Sequence, residues 1–452
     1  MDTLPIPHDF FLPMPASTLE LQVFAIFLFL IHILFVNLML GGALLSLFFE
    51  IRGLRRPALD GLAQEIAATV TVNKSIAVVL GVGPLLVVNA LYALWFYSAN
   101  ALTGTAWISI VPLVTSAFLL LYAHKYSWHA LADRKGLHLM LGGAGALLLL
   151  AVPLIFLANI NLMLFPGRWL EVHGFLSALA LPNVFPRFLH FVLASVAVTS
   201  LFLAGWFCRQ RFPFEERFPG LERCEIRREL LTTAFGATLL QLVIGPLVLV
   251  TLPPDGLSWW MILNLAGGVT LGITALVLLW REAQSTAPLS IRYWSVVGAL
   301  AGTVVLMAFA RHLYREEAIS PHRAMVAAHT AAFRSAALGA EMRLAAGTPR
   351  LGDAEQVASP GERTYRAVCM SCHALDERRV GPPLTEIVEI YAGNPAGLIA
   401  WVRAPGKKRA GYPEMPPISM QEPQYQAIAT YILEEVFAPE ISEDAPTDSA
   451  AG

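Results

Sequence analysis

Long apolar runs alternate with short polar or basic stretches over the first 314 residues of the chain. A helix needs about 20 apolar residues to cross a bilayer, at a rise of about 1.5 Å per residue. Eight runs meet this requirement, at residues 19–49, 66–98, 105–130, 136–165, 187–208, 228–252, 257–280 and 292–314. After Arg315 the sequence becomes charged and rich in proline. The pattern predicts a polytopic membrane bundle followed by a separate C-terminal domain.

Composition agrees with this division and narrows the class of protein. Apolar residues make up 56% of the chain and charged residues only 14%, whereas soluble domains carry about 25% charged residues. The net charge is −2, and the chain has no basic tract with interleaved aromatic residues, which excludes a nucleic-acid-binding protein. We predict an all-α protein with a bundle at 1–314, a helical linker at 315–360, a small domain at 361–438 and a disordered tail at 439–452.

Basic residues in the short loops predict the orientation of the bundle, because loops rich in lysine and arginine stay in the cytoplasm. Loops after the even-numbered runs contain only Arg168 and Arg187. The loops after the odd-numbered runs contain Arg52, Arg55, Arg56, Lys125, Arg134, Lys135, Arg209, Arg211, Arg217, Arg223, Arg227, Arg228, Arg281 and Arg292. We therefore expect the N-terminus and the C-terminal domain to face away from the cytoplasm.

The C-terminal domain carries the attachment motif for a c-type haem. Cys369 and Cys372 precede His373 in a C-x-x-C-H run, in which two thiols bond the two vinyl groups of one porphyrin and the imidazole reaches the iron. A thioether opposite the histidine raises the haem potential. Met415, flanked by prolines, is the preferred second axial ligand, and Met420 is the competitor.

With a Gly-Pro-Pro-Leu turn at 381–384 and a Pro-Glu-Met-Pro loop at 413–416, this stretch resembles a class I monohaem cytochrome c. The resemblance implies one covalently attached haem c. It also implies attachment on the outer side of a bacterial membrane, which agrees with the loop charges. We therefore expect a protein of the bacterial inner membrane with its cytochrome c domain on the periplasmic side.

Several ionisable residues lie at membrane depth, where a functional role is the default hypothesis. His190, His32 and His312, in that order of preference, are candidate axial ligands to one or two b-type haems near the outer surface. An imidazole pairs with a second histidine or a methionine across the bundle in such sites. Met261 and Met307 are available for this role. Arg187 lies close to His190 in the sequence, and Arg311 lies next to His312. The positive charges of these two arginines suit the carboxylates of haem propionates.

The remaining histidines have simpler explanations. His124, His129 and His138 cluster where the third run ends and the fourth begins, and we expect solvated helix ends there. His322 and His329 lie seven residues apart on the predicted linker helix, and we expect them on its surface.

Three segments of the bundle, at 31–41, 158–167 and 187–195, resemble subunit I of cytochrome bd quinol oxidases. The resemblance implies that His32 binds an oxygen-side haem, and that His190 binds a low-spin haem b together with Met261. The chain also departs from that family. Residues 251–258 are too short for a quinol-binding loop, and residues 105–130 contain no acidic side chain. An acidic ligand expected in the eighth run is replaced by Ala308.

These departures disfavour oxygen reduction, because a buried oxidase site must supply four protons and the eight runs contain almost no internal carboxylate. Electron transfer between haems has no such requirement. We therefore predict a membrane-bound cytochrome that carries electrons between the quinone pool and an extracytoplasmic acceptor, such as a soluble periplasmic carrier. The alternatives are a non-catalytic relay subunit of a larger respiratory complex and a bd-like terminal oxidase.

Overall fold

The computed structural model describes residues 14–71, 74–285, 289–347, 359–407 and 411–437. It divides into two compact units, Met1–Ala332 and Phe333–Gly452, which are described separately. In the described residues both units are built from helices and turns, without strands, which confirms the all-α prediction. The predicted tail at 439–452 lies outside the described residues.

The first unit is a bundle of long apolar helices with short helices between them. Among the described residues, seven helices are long and apolar enough to span a membrane, and the number is eight if one bent pair is counted as a span. The helices are α1 (Thr18–Gly53), α2 (Ala58–Thr71), α3 (Lys74–Leu91), α4 (Ala93–Thr103), α5 (Thr105–Ile108), α6 (Ile110–Tyr126), α7 (Lys135–Met163), α8 (Phe175–Leu179), α9 (Val184–Phe207), α10 (Phe214–Arg217), α11 (Arg223–Val250), α12 (Trp259–Ala283) and α13 (Ile291–Gly347). The last predicted run and the predicted linker helix are therefore one continuous helix, α13.

The second predicted run, 66–98, is not one straight helix. It covers parts of α2, α3 and α4, and the chain bends by 111° between Leu91 and Ala93. The residue at the bend, Tyr92, is 1% exposed, and its hydroxyl donates a hydrogen bond to Glu316 on α13. Non-helical backbone at membrane depth is stable only where protein covers it or it lines a cavity, and the burial of Tyr92 meets that condition.

One end of the bundle, which we call the basic end, gathers the polar ends of several helices. Arg52 in the last turn of α1 and Arg56 after it form ion pairs with Glu229 and Glu225 in α11. Lys135 at the start of α7 lies 2.7 Å from the carboxylate of Asp60 in α2. The end of α1 therefore lies beside the starts of α2, α7 and α11.

The opposite end, which we call the distal end, is closed by amide side chains. Asn159 near the end of α7 donates to Asn100 in α4, at 2.7 Å. Asn183 before α9 donates to the carbonyl of Val248 near the end of α11, at 2.6 Å. Because α2 begins at the basic end and α4 ends at the distal end, the segment α2–α4 crosses the bundle. With this segment counted as one crossing, the described part of the chain crosses the bundle eight times, and Thr18 lies at the same end as residue 314.

The helices α1 and α9 approach each other closely through small residues. A Cβ atom at Gly41 would collide with the backbone oxygen of Ser195 and the hydroxyl of Thr199. The Ser195 hydroxyl donates to the Asn37 side chain at 3.0 Å, and the Thr199 hydroxyl donates to the Asn37 carbonyl at 2.9 Å. Small residues and hydroxyl groups of this kind stabilise helix pairs in membranes. This contact fixes the two helices that carry His32 and His190.

The second unit contains a small helical domain. Its helices are α14 (Pro360–Thr364), α15 (Leu384–Tyr391), α16 (Pro395–Arg403) and α17 (Glu422–Thr430), with π-helical continuations at Tyr365–Cys369 and Tyr431–Glu435. Their apolar faces form one core that includes Tyr365, Leu384, Leu398, Tyr425 and Ile428. The segment Pro360–Cys369 leads into the C-x-x-C-H motif, and the segment Glu422–Glu435 follows the loop that contains Met415.

Candidate functional site

The C-x-x-C-H motif forms a tight turn that ends in a fixed imidazole. The amides of Cys372 and His373 donate to the carbonyl of Cys369 at 3.0 and 2.9 Å. The Nδ1 atom of His373 lies 2.7 Å from the carbonyl oxygen of Pro382. Since a carbonyl only accepts, Nδ1 carries the hydrogen and Nε2 presents its lone pair, as an iron ligand requires. A Cβ atom at Gly381 would collide with this ring, so glycine makes room for it.

The two thiols beside this imidazole are half-buried and free. Burial raises the pKa of Cys369 to about 11. The Tyr365 hydroxyl donates to the carbonyl of His373 at 2.7 Å. Two thiols two residues apart, with an oriented imidazole next to the second, fit a covalently bound haem.

Met415 and Met420 both pack against the core of the small domain. Tyr425 fixes the loop between them, because its hydroxyl donates to the Ile418 carbonyl at 2.6 Å and accepts from the Met420 amide at 3.2 Å. The preference for Met415 over Met420 as second axial ligand stays a prediction.

In the bundle, His32 is held by α3. Its Nδ1 lies 3.0 Å from the carbonyl oxygen of Ala77, so Nδ1 donates and Nε2 is basic. A Cβ atom at Gly81 would lie 2.9 Å from the imidazole Cε1 atom, and glycine therefore leaves space for the ring. An imidazole whose other nitrogen is fixed by a carbonyl suits ligation of a metal.

His190 and its neighbour Arg187 each have one buried nitrogen without a hydrogen-bond partner among the described residues. Within the described part of the chain, His190 Nδ1 and Arg187 Nη1 are buried and make no hydrogen bond. Arg187 lies close enough to Arg311 and Arg315 for mutual electrostatic repulsion, and the Arg311 guanidinium also lies 4.7 Å from the centre of the Phe29 ring. Buried arginines normally pair with anions. This group, which we call the arginine cluster, fits the propionates of a haem b, and His190 fits an iron ligand.

The other predicted b-haem residues lie on α12 and α13. Met261 is 5% exposed and belongs to the same buried cluster as Tyr314. His312 is half-buried and interacts electrostatically with Arg315 and Glu316. Met307 packs against Gly268 of α12. Among the described residues, no hydrogen bond or ring contact joins His32, His190 and His312 to one another, so their pairing as ligands stays a prediction.

The prediction of solvated histidines at the basic end was wrong for two of the three. His129 is exposed, but the side chains of His124 and His138 are 3% and 0% exposed. Both contact the buried carboxylate of Glu50. The first predicted apolar run ends at residue 49, which leaves Glu50 just outside it. A carboxylate next to the last apolar residue of a span was the available signal.

The expectation of a surface position was also wrong for His322. Its ring is half-buried between Trp95 and Trp169, with ring centres 5.9 and 5.4 Å away. Its Nδ1 atom is buried and has no partner among the described residues. His329 on the same helix is exposed, as expected.

Comparison with known proteins separates the two parts of the chain. Residues 356–432 match the family described as "Cytochrome C oxidase, cbb3-type, subunit III". Cytochrome c-551 of Azotobacter vinelandii is 36% identical over 78 residues, which is 16% of this chain and 94% of that protein. The fold resembles the bd oxidase of Geobacillus thermodenitrificans, with a TM-score of 0.52 and 13% sequence identity over 72% of this chain and 96% of that chain.

At that identity the bd oxidase likeness establishes the fold of the bundle and nothing about its chemistry. The sequence match is stronger for the small domain, because it covers nearly all of a curated cytochrome and includes the two cysteines and the oriented histidine. Through its C-terminal domain the chain therefore belongs to the cytochrome c family, and that domain implies a covalently bound haem c.

Proposed function

We propose that this protein carries electrons between the quinone pool and an extracytoplasmic acceptor, through one or two b-type haems in the bundle and the covalent haem c. The observation that carries the proposal is the presence, on one chain, of a cytochrome c domain and a bundle with the bd oxidase fold. When bound, haem groups supply one-electron transfer, which needs no proton-conducting carboxylates.

The side chains of the distal end have two tasks in this proposal. The first task is to hold iron, through His190 and His32 and, on α12 and α13, through Met261 and His312. Arg187 and Arg311 balance the negative charge of the propionates, as buried guanidinium groups do elsewhere. In the small domain, His373 and Met415 hold the iron while Cys369 and Cys372 hold the porphyrin, and a thioether ligand gives that haem a high potential.

The orientation proposed for the protein follows from the difference in charge between the two ends of the bundle. The basic end carries Arg52, Arg56, Lys135 and Arg223 and faces the cytoplasm by the positive-inside rule. The distal end, with the predicted b-haem ligands and residue 314, then faces the periplasm. The proposed location is the bacterial inner membrane.

A relay subunit is the second candidate, and one observation favours it. Helix α11 ends at Val250 and helix α12 begins at Trp259. The connection between them is short, whereas the oxidase family that the bundle resembles has its quinol-binding loop at this place. The two functions differ in a titration of the purified chain with a soluble quinol. Haem reduction by quinol alone supports a quinol-linked enzyme, whereas reduction only after addition of a partner complex supports a relay.

Replacement of His190 tests the membrane half of the proposal. We expect His190→Ala to lower the haem b content by one haem per chain in the pyridine haemochrome assay and to leave haem c attached. His329→Ala, on the exposed part of α13, is the matched control and keeps the wild-type haem b content. An unchanged haem b content in His190→Ala, or a wild type that contains haem c alone, would contradict the proposal.

A further inference from the structure

Three buried ionisable side chains from three helices meet at the basic end. Glu50 lies in the last turn of α1, His124 in the last turn of α6 and His138 in the first turn of α7. The side chains of Glu50 and His138 are 0% exposed, and that of His124 is 3% exposed. The Glu50 oxygens lie 2.7 Å from His124 Nε2 and 2.5 Å from His138 Nδ1. We call this group the Glu50 site.

The hydrogen bonds of His138 bring two acceptor atoms together in the Glu50 site. Its Nε2 atom lies 2.7 Å from the backbone carbonyl oxygen of His124. A carbonyl can only accept, so Nε2 carries the hydrogen of the neutral imidazole and Nδ1 presents a lone pair. That lone pair faces a carboxylate oxygen, which is also an acceptor. Two acceptors at this distance repel, so a cation belongs between them.

We propose that the cation is a divalent transition metal ion, of which Zn²⁺ is the representative. Two imidazole nitrogens and one carboxylate oxygen are a common ligand set for zinc. The three ligand atoms lie within 4.8 Å of one another. Metal bonds of about 2.0–2.2 Å separate neighbouring ligand atoms by about 3.3–3.6 Å in a tetrahedral site. Binding therefore requires each of the two Glu50–histidine distances to grow by about 0.6–1.1 Å.

The surroundings hold both imidazoles in place, as the outer shell of a metal site does. The Trp128 ring contacts the rings of His124 and His138, with centres 5.0 and 4.6 Å apart. Its indole nitrogen donates to Asp60 at 3.0 Å. A Cβ atom at Gly142 would lie 2.7 Å from His124 Cδ2, so glycine provides the space for that ring.

Lys135 marks the route by which the ion reaches the site. Its ammonium group lies 2.7 Å from Asp60 and 3.8 Å from Glu50. Its side chain is 22% exposed and that of Asp60 is 26% exposed, so the two form the boundary between the Glu50 site and solvent. A hydrated cation can meet the Asp60 carboxylate first and then displace the ammonium group from Glu50.

The role of the ion is structural and independent of the proposed electron path. Glu50 and His32 are about 27 Å apart along α1, at a helical rise of about 1.5 Å per residue. The ion would instead join the ends of α1, α6 and α7. Such cross-linking stabilises the folded bundle by the free energy of metal binding.

Metal analysis of the purified full-length protein tests the proposal. The protein is incubated with Zn²⁺, desalted, and analysed for zinc by mass spectrometry against its covalent haem c content from the pyridine haemochrome. We expect about one zinc per chain in the wild type and in His129→Ala, the matched exposed control. Glu50→Gln and His138→Gln should lower the retained zinc at least tenfold. Zinc should also raise the thermal midpoint of the wild type but not of the two variants.

Two results would overturn the proposal. The first is a wild type with full haem content that retains less than about one tenth of a zinc per chain, since the cation at Glu50 is then a proton. The second is zinc retention in Glu50→Gln equal to that of the wild type. If either variant fails to fold, the wild-type stoichiometry and its thermal shift decide the question alone. Loss of haem b elsewhere leaves this result unaffected.

Discussion

At the scale of single residues, one backbone carbonyl decides which nitrogen of His373 is available. Pro382 accepts from Nδ1, and the preceding residue, Gly381, borders the ring. Because Gly381 has no side chain, the imidazole can stand where a Cβ atom would otherwise lie. The ligand is thus oriented before any group binds to it.

We expect Gly381→Ala to destabilise the cytochrome c domain by about 1–3 kcal/mol, because overpacking displaces the His373 ring. Haem stays attached through its two thioether bonds, so the loss is one of stability and not of cofactor. Guanidinium unfolding of the full chain, followed by the absorbance of haem c, measures it. The control is Gly411→Ala, where an added Cβ meets no atom within 4 Å. Equal midpoints for the two variants would contradict the expectation.

Residues that act within one short segment were predictable from the sequence, and residues that act across helices were not. Cys369, Cys372 and His373 are adjacent, so their spacing alone indicates the chemistry. Glu50 and His138 are 88 residues apart, and only the packing of α1 against α7 brings them together. No local pattern records such a contact.

At the scale of helices, the contact between α1 and α9 positions the two most important predicted haem ligands. The helices touch at Gly41, and the hydroxyl groups of Ser195 and Thr199 bond the side chain and backbone of Asn37. An ångström of separation here would move His32 and His190 apart.

We expect Gly41→Ala to lower the thermal midpoint of the bundle, since overpacking costs about 1–3 kcal/mol. It should also reduce haem b content while haem c is retained. Gly143→Ala is the control, because a Cβ at that helical glycine meets no atom within 4 Å and alanine favours the helix by about 1 kcal/mol. A midpoint for Gly41→Ala at or above that of Gly143→Ala would show that the contact is unimportant.

The eight apolar runs predicted from the sequence correspond, in the described residues, to seven long helices and one bent pair, and the bend in the second run was not predicted. Residues 66–98 form a nearly continuous apolar stretch, and no proline or glycine stands at Tyr92. The bend is stabilised by tertiary contacts instead, among them the hydrogen bond to Glu316, which lies far along the chain. Apolar periodicity indicates the length and composition of a helix, but it contains no information about partners that lie far along the chain.

At the scale of the whole molecule, the basic end and the distal end differ in charge, and this difference predicts which side each faces. Cys224 is an exposed thiol at the start of α11, at the basic end, while Cys208 is buried nearby. The proposed orientation places Cys224 in the cytoplasm.

We expect a membrane-impermeant maleimide to label Cys224 in inverted vesicles and not in intact spheroplasts. Cys208 stays unlabelled in both until the protein is unfolded. A Glu171→Cys substitution in a Cys224→Ser background, in the exposed segment after α7 at the distal end, should give the reverse pattern. Labelling of Cys224 from outside spheroplasts would invert the topology and with it the proposed position of haem c.

The even number of crossings also sets an order for biogenesis. The cytochrome domain follows the bundle in the chain. If residue 18 and residue 314 face the periplasm, the domain must pass through the translocon after the bundle, as an extended chain. Its cysteines then meet the haem-attachment enzymes only after the last helix has entered the bilayer. A mutation that stalls membrane insertion should therefore abolish covalent haem, even though every residue of the attachment motif is intact.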